Sequence, residues 1–189
     1  MAEQLADIFN NSIVSEVFPD SLNDAKITPV FKTEDKKMVN NYRPISVLPV
    51  FSKVVENLMH KRLVSFLVDK CRVIITNQYE FRENHLTYMA LFTMLDQISQ
   101  EIDNKKYSIG LFLDLSKAFD TINHHILLQK LVNYGIRGNA LKWLSSYLSE
   151  RTQYVSLGDI CSDFSTIRYG VPQGSVLGPL LFIIYINDM

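Results

Sequence analysis

The stretch from Tyr107 to Asn123 (Tyr-Ser-Ile-Gly-Leu-Phe-Leu-Asp-Leu-Ser-Lys-Ala-Phe-Asp-Thr-Ile-Asn) limits what this chain can fold into more than any other. Ile109 to Leu113 is an apolar run broken only by Gly110, the pattern of a strand buried on both faces. The run ends abruptly in a carboxylate, Asp114. A helical pattern follows at once, with Asp120 or Thr121 as its N-cap. An acid at the end of a buried strand is costly unless its charge is compensated. Two readings stay open at this point. Asp114 caps the next helix, or it meets a divalent cation of the kind that phosphate chemistry uses.

A second stretch bears on that choice. Gly170-Val-Pro-Gln-Gly-Ser-Val-Leu-Gly-Pro-Leu-Leu-Phe182 sets a loop punctuated by Gly and Pro in front of an apolar helix, with Ser175 as a candidate cap. Between and before these two stretches the pattern alternates helix and strand. Leu5, Ile8, Phe9, Ile13 and Val17 give Ala2–Val17 one apolar helical face, stopped before Pro19. Residues 25–32 and 43–48 read as short strands around an exposed polar loop, with Pro29 favouring an edge or a bulge. Residues 50–70 form a helix with Phe51, Val54, Val55, Leu58, Met59, Leu63, Phe66 and Leu67 on its apolar face. Residues 86–102 form another, with Leu91, Leu95, Ile98 and Ile102 aligned. Helices over 122–134 and 139–148 follow, the first ended by Gly135 as its C′ residue. Trp143 and Tyr147 lie at helical spacing and read as core residues. Strands over 153–157 and 163–169 flank a Gly158-Asp159 turn.

Leu113-Asp-Leu-Ser-Lys-Ala-Phe-Asp120 and the Gly170–Leu181 stretch resemble motifs A and B of reverse transcriptases, in wording close to that of non-LTR (LINE-type, jockey/CR1-like) retrotransposon polymerases. Asn41-Tyr-Arg-Pro-Ile-Ser-Val-Leu-Pro49, Gly135-Ile-Arg-Gly138 and Tyr147-Leu148 fit the same family, in the expected order along essentially the whole chain. The resemblance implies an α+β fold, a partial right-hand polymerase of fingers and palm with a small antiparallel palm sheet packed on helices. It divides the chain into a fingers-like region with an N-terminal helix (1–106) and a partial palm carrying motifs A and B (107–189). The motif A strand is expected at the centre of the sheet, paired with residues 153–157 or 163–169.

Site residues follow from the resemblance. Asp114 is the catalytic metal ligand, and the Leu115 backbone carbonyl is a second ligand. Arg43 and, on weaker grounds, Lys32 touch the triphosphate. Phe119 stands against the incoming sugar, where a ring leaves no room for a 2′-hydroxyl. Gln173 and Gly174 face nucleotide and template, the glycine allowing close backbone approach. Arg82 meets a template phosphate. The cofactor implied is Mg²⁺ or Mn²⁺, incompletely liganded in this chain, and the partners are an RNA template, a DNA primer and dNTP. Asp120 and Asp188 are weaker candidates as acids.

The chain departs from the family pattern in three places. Glu80 stands where a Gly is expected and Glu83 where a Lys or Arg is, so both put negative charge on the supposed template path. The family's Asp-Asp pair on a hairpin beyond motif B has no counterpart, because the chain contains no Asp-Asp dipeptide. The chain is therefore expected to be inactive alone. An open palm edge and bare apolar surface should invite self-association. Two other function classes remain: a non-catalytic remnant that binds RNA or RNA–DNA, and an interaction module with no nucleic-acid role.

Composition narrows these options modestly. A chain of 189 residues, 47% hydrophobic, can bury a core as one compact domain or two small lobes. Its net charge of −1 is unevenly spread: residues 26–82 carry a balance of +6 and the rest −7. A basic front half can bind phosphate backbones locally. The longest apolar run, Val176 to Ile186, is too short to span a bilayer, and no secretory signal is apparent. Cys71 and Cys161 are isolated, which suggests reduced thiols and an intracellular address in the nucleus, the cytoplasm or both. The adjacent His124 and His125 read as satisfied or exposed side chains, not as metal ligands.

Overall fold

The computed structural model describes residues 2–71, 74 and 77–188. In chain order, helix α1 (Ala2–Val14) is followed by β1 (Asp24–Phe31), β2 (Tyr42–Val47) and α2 (Val50–Val64), which widens into a π-helical turn at Ser65–Lys70. Then come α3 (Thr87–Asp103), α4 (His124–Asn133), α5 (Gly138–Leu148), β3 (Thr152–Leu157), β4 (Ile160–Cys161), β5 (Ser165–Thr166) and α6 (Leu177–Ile186). The fold is α+β, as the sequence implies. The sheet corrects the expectation of a purely antiparallel one. Its order is β2-β1-β3-β4, with β5 also on β3, and Asp24–Ile27 of β1 runs parallel to Thr152–Val155 of β3.

The β1–β2 ribbon shows how a strand tolerates proline. Pro29 pairs with Pro44, and neither residue has an N–H to give. Lys32 N–H donates to the Asn41 carbonyl at 2.8 Å. Counting back along the alternating ladder places the two prolines at a position where no hydrogen bond is required. Pro29 also lies beyond the part of β1 that pairs with β3.

The core is assembled around α6. Leu177, Leu180, Leu181, Ile183 and Ile184 are all buried, as suits a helix apolar on every side. Around it pack Phe9 of α1, Val55, Met59 and Leu63 of α2, Leu127 and Leu131 of α4, and Trp143, Leu144, Tyr147 and Leu148 of α5. Residues on both sides of position 106 thus share one core. Trp143 and Tyr147 stack with centroids 5.9 Å apart and 7° between planes. Phe18 meets both edge-on, and the Trp143 indole donates to Ser12 Oγ at 3.0 Å. Their reading as core residues holds.

Several boundaries move for identifiable reasons. The helix expected from Ile122 begins at His124, because Asn123 is its cap and its side chain accepts from the Ile126 N–H at 3.2 Å. Asp120 and Thr121 do not cap it. Its other end is as expected. Gly135 takes φ of +89°, its N–H reaches the Val132 carbonyl, and the Ile136 N–H reaches that of Leu131, the double closure of a Schellman motif. α1 stops at Val14, short of Val17.

The largest correction concerns residues 107–115. No strand forms there, and Ile109, Leu111, Phe112 and Leu113 are between 77% and 95% exposed. The reason lies in β3. One of its edges is taken by β1, and its other edge by β5 and β4, so Ile109–Leu113 finds no free edge there. The aligned face expected on α3 is also bare. Leu91, Leu95 and Ile102 are exposed, and α3 has no buried residue. On α2 the expected apolar stripe splits: Val55, Met59 and Leu63 are buried, whereas Phe51, Val54 and Leu58 are exposed.

Candidate nucleotide and template site

The loop from Gly170 to Val176 is held by three separate parts of the chain. Toward residues 119–124, the Gly170 N–H donates to the Ile122 carbonyl at 2.7 Å and the Val171 N–H to that of Phe119 at 2.8 Å. His124 Nε2 lies 2.7 Å from the Gly170 carbonyl oxygen. Toward β2, the Ser46 N–H donates to the Gln173 carbonyl at 2.7 Å. Toward α2, the Glu56 carboxylate accepts from the Val176 and Leu177 N–H groups at 2.7 and 3.2 Å.

Two glycines make this approach feasible. Gly170 has φ of +83°, and a Cβ there would lie 2.6 Å from the Phe119 carbonyl oxygen. Gly174 has φ of +121°, and its Cβ would meet the Ser46 carbonyl oxygen at 2.7 Å. A side chain at either position would collide with backbone, which cannot swing aside.

The expected site residues fall into two groups. Phe119, Gln173 and Gly174 come together through the loop contacts just described. Gly174 lies against β2, the strand that carries Arg43, and Arg43 pairs with Val30. Lys32 follows at the loop end of the same ribbon, and both cations are exposed. Phe119 is half-buried. It stacks on Phe182 with centroids 5.1 Å apart and takes Phe81 edge-on at 5.9 Å. Arg82 follows Phe81 in sequence, and its guanidinium donates to the Gln78 carbonyl at 3.1 Å. Glu80 is exposed. Glu83 is exposed as well and lines a shallow cleft of about 350 Å³ with Asn57, His60, Lys61, Val64 and Ser65. Burial holds the His60 pKa below its ordinary value, so Lys61 is the cation among the residues lining this cleft.

Asp114 and Leu115 form the second group. They lie on the exposed, unpaired segment, with Leu115 44% accessible. Among the described residues, no three of His, Cys, Asp and Glu cluster as a metal-holding set. Two cations about 3.5–4 Å apart, the arrangement polymerases use, need more than one carboxylate. Asp114 with one carbonyl therefore does not fit that pair of ions. The weaker candidates do not complete it. Asp188 is ion-paired with Lys130, whose hydrogen bond holds the Asp188 carboxyl below its usual range. Asp120 is exposed, and its backbone packs beneath Gly170.

Three residues that hold this loop, Ser46, His124 and Glu56, escape sequence reasoning, as does the buried Arg151 of the core beneath. Ser46 and His124 act through the loop backbone. Glu56 is wholly buried. Arg151 is 1% exposed, with its guanidinium 4.8 Å from the Tyr147 ring centroid and hydrogen-bonded to the Tyr147 carbonyl at 3.2 Å. A cation so buried depends on ring faces and carbonyls for its stabilisation. The one available signal was Glu56 itself, an acid four residues after Ser52, three before Met59 and seven before Leu63, on the same helix face.

Known proteins are similar to this chain over nearly its whole length. The family model for reverse transcriptase (RNA-dependent DNA polymerase) matches residues 33–189. The RNA-directed DNA polymerase from mobile element jockey of Drosophila melanogaster is 36% identical over 98% of the chain. The probable RNA-directed DNA polymerase from transposon X-element of the same fly is 36% identical over 96%, and that from transposon BS is 33% identical over 98%. The chain spans about a fifth of the length of each, 20%.

Proposed function

We propose, since this chain belongs to the reverse transcriptase (RNA-dependent DNA polymerase) family, that it forms the part of a retrotransposon polymerase that receives the incoming dNTP beside an RNA template and DNA primer. The observation that supports this reading is the triple tie on Gly170–Val176, which holds Gly170 and Val171 on the Phe119 backbone and Gln173 and Gly174 against β2, the strand of Arg43. In this reading Arg43 and Lys32 attract the triphosphate, Phe119 bounds the sugar, and the Gly174 backbone comes close to the base pair. Arg82 contacts the template. Asp114 and the Leu115 carbonyl would hold one Mg²⁺ or Mn²⁺, which supplies positive charge at the phosphates when bound. On this reading the protein would work inside the cell, in the nucleus, the cytoplasm or both.

A second reading has its own support. Among the described residues no metal-holding cluster of acids forms around Asp114, which favours a fragment that binds RNA–DNA without catalysis; Glu80 and Glu83 would weaken that binding. Binding to a labelled RNA–DNA duplex at several salt concentrations tests both readings, since phosphate contacts give affinity that falls linearly in log–log form. No binding at low salt would leave an interaction module without a nucleic-acid role.

Glu80→Gly with Glu83→Lys is expected to tighten that binding and steepen its salt dependence. The first change removes a like charge. The second places a cation beside Lys61 along the same cleft. Each added phosphate contact should raise the slope by about 0.9. An unchanged slope would mean that this segment faces away from the template.

The bare surface formed by α3 and residues 107–115 also fits association between copies of the chain. Exposed apolar residues at this density are a liability for a lone subunit in water. Sedimentation velocity across a hundredfold concentration range should show growth in mass. A single monomer boundary throughout would remove self-association from the picture.

A further inference from the structure

Glu56 has no part in the site as sequence describes it, yet it controls the start of α6. The four N–H groups at a helix N-terminus lack partners within the helix. In α6 all four are accounted for. Val176 and Leu177 donate to Glu56 Oε2, at 2.7 and 3.2 Å. Gly178 donates to Ser175 Oγ at 3.0 Å, and Pro179 has no N–H to satisfy. The other carboxylate oxygen, Oε1, accepts from Ser52 Oγ at 3.0 Å, and Ser52 is itself wholly buried. Ser175 Oγ in turn donates to the Pro172 carbonyl at 2.8 Å. One carboxylate on α2 therefore fixes Val176 and Leu177, just past Gly174 and Ser175, while the Ser46 N–H holds the Gln173 carbonyl itself.

The chemistry suits a carboxylate more than any neutral side chain. An anion at a helix N-terminus meets the positive end of the helix dipole, and hydrogen bonds to a charged acceptor are shorter and about twice as strong as neutral ones. The buried charge has a measurable consequence close by. Burial, with the Glu56 carboxylate as the next cause, pushes the Tyr147 phenol well above its ordinary value, and Arg151 pulls it the other way. The Tyr147 hydroxyl makes no hydrogen bond of normal geometry. The carboxylate is thus committed to the α6 N–H groups and Ser52.

We propose that Glu56 is a positioning residue for nucleotide binding: by anchoring the α6 N-terminus to α2 it sets the place of Gln173 and Gly174 against Phe119 and β2. This rests on the reading of that loop as the nucleotide-facing surface. A purely structural role would lower stability and leave nucleotide affinity alone. A positioning role does the reverse when charge is removed and shape is kept.

The test uses Glu56→Gln, with Glu56→Ala as the harsher variant, in the whole chain. Hydrogen exchange at residues 176–178 and dNTP binding to the complex of chain, RNA template and DNA primer are measured with Mg²⁺ present. Glu56→Gln should speed exchange at Val176 and Leu177 while the amides of α4 and α5 stay protected, and should weaken dNTP about tenfold, roughly 1.4 kcal/mol. Glu56→Ala should weaken it further, unless it unfolds the chain, in which case Glu56→Gln decides alone. Unchanged dNTP affinity in Glu56→Gln, with the parent chain binding normally, overturns this inference and leaves the site reading standing. Protection lost evenly across α4, α5 and α6 likewise reduces Glu56 to a stability role. Failure of the parent chain to bind any dNTP overturns the site reading, and this inference falls with it.

Discussion

The 189-residue chain, given a primed RNA template, four dNTPs and Mg²⁺ or Mn²⁺, is expected to add no nucleotide. Phosphoryl transfer leaves little covalent work to the protein; positioning and fixed charge supply most of the rate. Here the fixed negative charge is a single carboxylate, Asp114, on a segment that no strand supports. Asp188 is already paired with Lys130, and among the described residues no three of His, Cys, Asp and Glu gather as a metal-holding set. In a longer polypeptide that also carries an Asp-Asp hairpin, two things should change. Ile109–Leu113 should gain a partner strand, and Asp114 should gain companion acids. Primer extension should then appear. Asp114→Asn in that polypeptide should lower it on the order of 10³-fold or more, since the amide keeps the shape and removes the charge. Template-dependent extension by the 189-residue chain would show that it lacks nothing essential. Full activity in the Asp114→Asn polypeptide would take Asp114 out of the chemistry.

What was legible in the sequence was mostly local. Gly135 announced a helix end because only a residue at ease with positive φ closes a Schellman motif. Trp143 and Tyr147 could be assigned to the core because helical spacing put them on α5 beside Leu144 and Leu148. What was not legible depended on partners. The run Ile109–Leu113 has the composition of a buried strand, but composition states what the residues would accept, not which edges are free. β3 spends one edge on β1 and the other on β4 and β5. The parallel β1–β3 pair was hidden for a related reason. The two strands lie more than a hundred residues apart, and no local pattern encodes their register.

The site divides along the same line. Gln173, Gly174 and Phe119 could be read from motif spacing, and backbone hydrogen bonds bring their segments together. Glu56, Ser46 and His124 hold them there through main-chain atoms of the loop. Hydrogen bonds to main-chain atoms leave little trace in the identity of the residues contacted, so motif spacing exposes the loop residues more readily than those that hold them.

Phe119→Val, placed in a polypeptide that extends primers, is expected to admit ribonucleotides, with the preference for dNTP over rNTP falling at least about tenfold. The sequence motivates this by the aromatic five residues after Asp114, which in the family reading blocks a 2′-hydroxyl. The structure gives the ring a second duty, because it stacks on Phe182 and receives Phe81 edge-on. Each duty has its own signature. Shrinking a half-buried ring to valine should cost roughly 1–2 kcal/mol of stability, and that loss would lower activity toward both sugars alike. Loss of a steric gate changes their ratio. Phe182→Leu serves as the control, since it weakens the same stack without opening space beside Asp114. It should reproduce the stability loss and leave the ratio untouched. Equal losses for dNTP and rNTP in Phe119→Val would make Phe119 a packing residue. A shifted ratio in Phe182→Leu would show that selectivity depends on the whole aromatic stack and not on one ring.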